Sequence, residues 1–194
     1  MHRSFVRSLA LAVGLAAALP AAAQTEDLTR PLKVVVSSIR FEKDTAALKQ
    51  FAGDAQGRVL LGDDWEKATP EQRKEFIGLF HTLFGKIAFP KIRENFKYLG
   101  AVNYEPAKIE GDKATVSSTL VIEHPVKKQE LKVRYSLLKE GSAWKVVDVS
   151  VLGDSMLGGI RDEQVKPLMK EGGMPHLLEK MRGKAKELEK QKLK

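Results

Sequence analysis

Hydrophobic positions divide the chain into a helical first part, an alternating middle and a helical end. Leu32, Val35, Val36 and Ile39 recur at three- and four-residue spacing from Pro31, a residue accepted in a helix's first turn, and predict a first amphipathic helix. Residues 45–51 predict a second, short helix. Gly53, Gly57 and Gly62 then punctuate what reads as a compact connection carrying Val59-Leu60-Leu61. Thr69-Pro70-Glu71-Gln72 supplies an N-cap hydroxyl, a proline at the first helical position and a glutamine three residues after the cap, which together start a helix. Along it Phe76, Leu79, Phe80, Leu83, Phe84 and Ile87 form one apolar stripe. Pro90 is expected to kink or end this helix, with Ile92, Phe96 and Leu99 on a second helical piece.

From Ala101 onward the period changes to two. Ala114, Val116, Ser118, Leu120 and Ile122 alternate with more polar neighbours, as do Leu131, Val133, Tyr135 and Leu137, and residues 144–151 are strongly β-forming. Glu110-Gly111-Asp112-Lys113 and Lys139-Glu140-Gly141-Ser142 are turn chemistry, and Glu123-His124-Pro125 reads as the opening of a longer loop. Residues 155–170 and 175–189 return to helical spacing, separated by Gly172-Gly173. The order predicts an α+β fold, with helices packed on one face of a curved antiparallel sheet of three or four strands.

The length of 194 residues suits a single domain, and 43% hydrophobic with 30% charged residues is the composition of a folding chain. The absence of cysteine excludes disulfides, thiol nucleophiles, Cys-based metal sites and a lipoprotein anchor. Arg3 and Arg7, the uncharged stretch from Leu9 to Leu19, and Pro20 before Ala21-Ala22-Ala23 form an export signal cleaved near Ala23. The expected division is therefore a signal peptide at 1–23, one domain at 24–182 and a basic tail at 183–194, with the mature protein in the periplasm.

The net charge of +8 falls to +6 without the signal. Residues 180–194 carry seven basic against two acidic side chains, so the remaining body is close to neutral. That distribution argues against nucleic acid as a partner. The tail reads as a solvated helix end, or as a site of transient contact with an anionic membrane surface.

Candidate chemistry is sparse. His81, His124 and His176 stand at no metal-ligand spacing, no nucleophile-elbow or phosphate-loop motif is present, and the neighbouring carboxylates Asp63-Asp64 and Asp162-Glu163 lack apolar cover. Asp148, inside a hydrophobic strand, reads as a hydrogen-bonding group that orders a turn or helix end. The phenylalanine stripe fits either a plain core or one wall of an apolar cavity, and periodicity does not choose between them.

Three stretches resemble the MlaC-type periplasmic phospholipid-binding proteins, also called toluene-tolerance auxiliary proteins. Leu61-Gly62-Asp63-Asp64-Trp65-Glu66-Lys67-Ala68-Thr69-Pro70-Glu71-Gln72-Arg73-Lys74-Glu75-Phe76 is similar to that family's leucine-glycine, aromatic, A-T-P-E-Q-R-x-x-F signature. Trp144-Lys145-Val146-Val147-Asp148-Val149-Ser150-Val151, running through Gly153 to Ser155, resembles W-x-V-x-D-V-x-V-x-G-x-S. Residues 170–181 resemble the closing K-G-x-x-x-L-x-x-x-L helix. The departures are Asp154 in place of an apolar residue, Gly158-Gly159 and Gln164 in place of larger helix residues, and Gly85 with Pro90 interrupting the long helix.

The resemblance implies an NTF2-like, cone-shaped fold that holds a phospholipid by its acyl tails, without a cofactor. It further implies exchange of lipid with an outer-membrane donor complex and an inner-membrane ABC transporter complex. Under it, the expected lipid-binding residues are Phe76, Phe80, Phe84 and Ile87 on the helix, Val147, Val149 and Val151 on the last strand, and Met156 and Ile160 after it. The rival expectations are a carrier for another apolar lipid such as a hopanoid, an NTF2-like enzyme with a buried acid/base pair, and a solid-cored adaptor.

Overall fold

The computed structural model describes residues 21–191, with side chains from Leu28 onward. The expected export signal, apart from residues 21–23, and the last three residues of the basic tail lie outside the described residues.

Helix α1 (Ala21–Arg40) begins ahead of Pro31, so the proline lies inside it rather than at its start. Leu28, Leu32, Val35 and Ile39 form its buried stripe, and their packing offsets the one backbone hydrogen bond the proline forgoes. Helix α2 (Asp44–Leu48) ends before Phe51, because the chain there pairs with the sheet. The Ala52 N–H donates to the Val146 carbonyl at 2.9 Å, and the Val146 N–H to the Gln50 carbonyl at 2.8 Å.

The stretch expected as a connection is helix α3 (Gly53–Leu61). Gly57 serves close packing rather than a turn: a Cβ there would overlap the Trp65 ring. After the short α4 (Asp64–Lys67), helix α5 (Pro70–Phe96) opens with the expected capping box. Gln72 N–H donates to Thr69 Oγ1 at 3.2 Å, and Thr69 N–H donates to Gln72 Oε1 at 3.0 Å. The helix runs through Pro90 to Phe96, since Phe89 and Phe96, buried on either side of the proline, hold both segments to one core. Leu99 belongs to the first strand.

Strands β1 (Leu99–Tyr104), β2 (Lys108–Glu110), β3 (Lys113–His124), β4 (Lys127–Glu140), β5 (Ala143–Val151) and β6 (Asp154–Ser155) form one antiparallel sheet. The order is β1-β3-β4-β5-β6, with β2 also on β3. The loop expected after Glu123 is a tight turn at Pro125-Val126, because the β3–β4 ladder closes as far as His124 opposite Lys127. Register shifts at Leu99/Ala101 and at Ser136/Leu137, where Val147 is the extra residue of β5, bend the sheet. Its inner face carries Ala114, Val116, Leu120, Val133, Tyr135 and Val146, all buried, while Arg134 and Ser136 face solvent.

Helix α6 (Met156–Ile160), a π-helical turn (Arg161–Val165) and α7 (Lys166–Gln191) follow. As expected, Gly172 and Gly173 break the last helix, with Gly173 in the left-handed region at φ 65°. The described part of the basic tail, 183–191, continues α7 along α5. Ala185 is buried there, Arg182 pairs with Glu75 at 2.5 Å, and Lys86 pairs with Glu189 at 3.4 Å.

Two apolar clusters result. One lies between the sheet's inner face, α1, Phe51 and the second half of α5; the other joins α3, α4, the first half of α5, α6 and α7. Phe84 packs against both.

Candidate functional site

The first cluster surrounds a cavity of about 810 Å³ between the bent sheet and the helices α1 and α5, and of the residues in or packed on the second cluster only Phe84 lines it. Val35, Val36 and Ile39 line it from α1, and Phe84, Phe89 and Ile92 from α5. Leu120, Ile122, Leu131, Val133, Tyr135, Val149 and Val151 form the strand wall, with Met156 beside them. Exposed lining residues lie at one end, where Asn95, residues 127–130 and Leu152 mark the mouth. Glu130 is the lining's one carboxylate, Lys127 and Lys128 are its cations, and all three stand at this mouth. Charge is thus confined to the opening, and the interior is hydrocarbon.

One polar feature reaches further in. The Tyr135 hydroxyl lies 3.2 Å from Ser118 Oγ. Burial raises the Tyr135 pKa against the lowering effect of that hydrogen bond, so the phenol stays neutral. Burial likewise raises the pKa of Tyr104, whose ring centroid lies 6.4 Å from that of Tyr135.

The structure brings Phe84, Val149, Val151 and Met156 of the expected residues together on the cavity wall. It puts Phe76 and Phe80 in the second cluster, with Ile160 packed against that cluster too. Ile87 is 38% exposed on α5, and Val147 sits at the β5 bulge, away from the lining. The stripe splits because a 27-residue helix extends past two cores, so its early phenylalanines meet α3 and α7 before the later ones reach the sheet. The α1 residues, Phe89 and the inner face of β4 complete the lining beyond the expected set. Their signals, the widened apolar face at Val35-Val36 and the alternation through Tyr135, are the same as those of ordinary core.

Asp148 takes the orienting role expected of it. Its carboxylate accepts from Ser155 Oγ at 2.5 Å and from the Leu157 N–H at 3.0 Å, while Ser155 Oγ accepts from the Gly158 N–H at 2.8 Å. This caps α6 and positions Met156 at the cavity. Asp148→Ala is expected to cost about 1–2 kcal/mol of stability, measured as a lowered urea midpoint with an unchanged slope.

His81 is also structural. Gln56 Nε2 donates to the Val147 carbonyl at 3.1 Å, which leaves Gln56 Oε1 to accept from His81 Nε2 at 2.8 Å. Burial lowers the His81 pKa below its usual 6.5. The unfolded chain therefore takes up this proton at a higher pH than the folded chain, so the stability it confers is complete above pH 6.5 and declines as pH falls through that window. The urea midpoint is expected to drop from about pH 7.5 to about pH 5.5, and to drop less in His81→Gln.

No group of three or more His, Asp or Glu side chains is placed to hold a metal among the described residues. A smaller recess of about 370 Å³, lined by Lys108, Lys113, Thr115 and Arg134 among others, is polar and lies on the other side of the sheet.

Comparison with known families matches residues 38–183 to the MlaC protein family. The chain belongs to the MlaC family. A similar solved structure is that of a phospholipid-binding protein from Ralstonia solanacearum in complex with a phospholipid. It has a TM-score of 0.67 and 18% sequence identity, and the alignment covers 84% of this chain and 97% of that one. At this identity the likeness is one of fold. No curated protein matches the sequence. The MlaC match runs from the end of α1 into α7 and so takes in the second cluster and most of the first. Leu61, Trp65, Ala68 and Phe76, from the first of the stretches that carry the resemblance, belong to the second cluster and not to the cavity lining.

Proposed function

We propose that this MlaC-family chain is a periplasmic carrier that encloses the acyl chains of a phospholipid and leaves the headgroup at the mouth. On this reading it exchanges lipid with an outer-membrane donor complex and an inner-membrane ABC transporter complex. The observation that carries the reading is the cavity of about 810 Å³ with charged side chains only at its opening. At about 30 Å³ per methylene-sized group, the share of one water molecule in the liquid, that space holds on the order of 25 such groups. This is most of the hydrocarbon in two sixteen-carbon tails.

Exposing one sixteen-carbon chain to water costs about 12 kcal/mol at about 0.8 kcal/mol per methylene, so a carrier must cover nearly all of it. Phe84, Val149, Val151 and Met156 supply part of that cover, and α1, the rest of α5, β3 and β4 supply more. A bilayer and this interior are similar surroundings for a hydrocarbon tail. The carrier therefore sets no direction, and the complexes it meets must.

The test is uptake, by delipidated protein, of a phospholipid carrying a fluorophore on its tail. Fluorescence is expected to shift as for an apolar site and to be reversed by unlabelled phosphatidylethanolamine. Reversal by a hopanoid but not by phospholipid would replace the ligand assignment, and no uptake of either would remove the carrier reading.

A further inference from the structure

Among the described residues, the exposed large hydrophobic side chains are Phe41, Ile87, Tyr98, Ile109, Val126 and Leu152. One of them, Leu152, lines the cavity's mouth, and three more lie within two residues of lining residues. Val126 precedes Lys127, and Phe41 and Tyr98 each follow a lining residue, Ile39 and Phe96, by two positions. Hydrogen bonds draw three of these segments together. The Glu123 N–H donates to the Tyr98 carbonyl at 2.7 Å, the Tyr98 ring lies 4.5 Å from that of His124, and Arg40 Nη1 donates to the Leu99 carbonyl at 3.3 Å. Val126, 89% exposed, forms the tip of the β3–β4 hairpin. The hairpin end carries Lys127 and Lys128 beside Glu123 and the mouth's Glu130, and Lys127, Lys128, Arg40 and Lys43 form no ion pair among the described residues.

We infer that the mouth face, led by the β3–β4 hairpin, docks on an anionic bilayer surface, with Val126 entering the headgroup layer and Lys127 and Lys128 on lipid phosphates. The inference rests on the reading of the cavity as a lipid site and adds the surface against which the mouth rests while lipid is exchanged. Single apolar residues on separate elements, interleaved with long cations, suit a fluid interface: the apolar groups enter the acyl boundary while the lysine stems extend toward phosphate. Tyrosine, here Tyr98 against the His124 ring, is characteristic of that layer. A mouth pressed to the surface also lets tails move inward without crossing water.

The test is flotation of the mature chain with vesicles of phosphatidylethanolamine containing phosphatidylglycerol, compared with phosphatidylcholine alone. Binding is expected only to the anionic vesicles and to weaken with salt. Lys127→Ala is expected to weaken it about fivefold, and Val126→Asp by at least about tenfold. Ile109→Asp, on β2, is the control and is expected to bind like wild type. Equal loss in Ile109→Asp and Val126→Asp, or wild-type protein that does not float, would overturn the docking surface. So would capture of the wild type by a membrane protein, lost in Val126→Asp, without vesicle binding. Thermal midpoints verify folding. Phospholipid content separates the two claims, because Val126→Asp is expected to retain its lipid, and lipid-free wild-type protein would strike at the carrier reading itself.

Discussion

Phe84→Glu is expected to fold and to carry no phospholipid. Phe84 is half-buried at the junction of the two clusters, with ring centroids 5.9 Å from Phe51, 5.6 Å from Phe80 and 5.4 Å from Phe89. One side of its ring faces the cavity. A carboxylate there would lie in a space that opens to water at the mouth, so it can stay solvated in the empty protein. An acyl chain in place would strip that hydration, a penalty of several kcal/mol against the tail's transfer energy. Phe84→Ala provides the contrast. It loses about 3 kcal/mol of stability through truncation but leaves the wall apolar, so lipid is expected to remain. Phe80→Glu would instead put a charge in the second cluster, where Phe80 is 6% exposed, and is expected to abolish folding. Circular dichroism with lipid extraction distinguishes these outcomes, and a fully loaded Phe84→Glu protein would remove the residue from the lipid wall.

Trp65→Ala is expected to have the opposite phenotype, a large loss of stability with retained lipid in whatever remains folded. The indole is 1% exposed, lies against the Gly57 backbone, and is flanked by the guanidinium groups of Arg58 at 5.8 Å and Arg73 at 5.3 Å. Both arginines also pair with Glu66, so ring, cations and carboxylate form one unit that fixes α3 against the start of α5. Truncating a buried tryptophan costs about 3–5 kcal/mol, a large part of the stability of a domain this size. Gly57→Ala tests the same contact from beneath, since the added methyl would overlap the ring. About 1–3 kcal/mol of overpacking is expected. Urea midpoints measure both. A change under about 1 kcal/mol in Trp65→Ala would show that this unit is not what holds the helices together.

What was legible in the sequence was local. Thr69-Pro70-Glu71-Gln72 specifies its helix start through side-chain chemistry within four residues, and Gly172-Gly173 specifies a break because one glycine takes a left-handed conformation. The alternation through β3, β4 and β5 reports a sheet with one buried face, and Asp148 among valines reports a cap. The misreadings arose where one residue type serves two ends. Gly57 resembles a turn glycine but makes room for an indole, and Pro125 resembles a loop opener but sits in a tight hairpin turn.

The cavity was legible only in part for a different reason. A residue lining a hollow and one filling a core obey the same periodicity, and what separates Phe84 from Phe80 is the distance between a bent sheet and two helices. That distance depends on bulges at Leu99/Ala101 and Val147, which no spacing of apolar residues announces.

The most direct measurement is native mass spectrometry of the full mature chain isolated without detergent. One diacyl phospholipid mass added to each chain is the predicted result. A bare chain under gentle ionisation, reproduced across preparations whose folding is verified, would contradict the account.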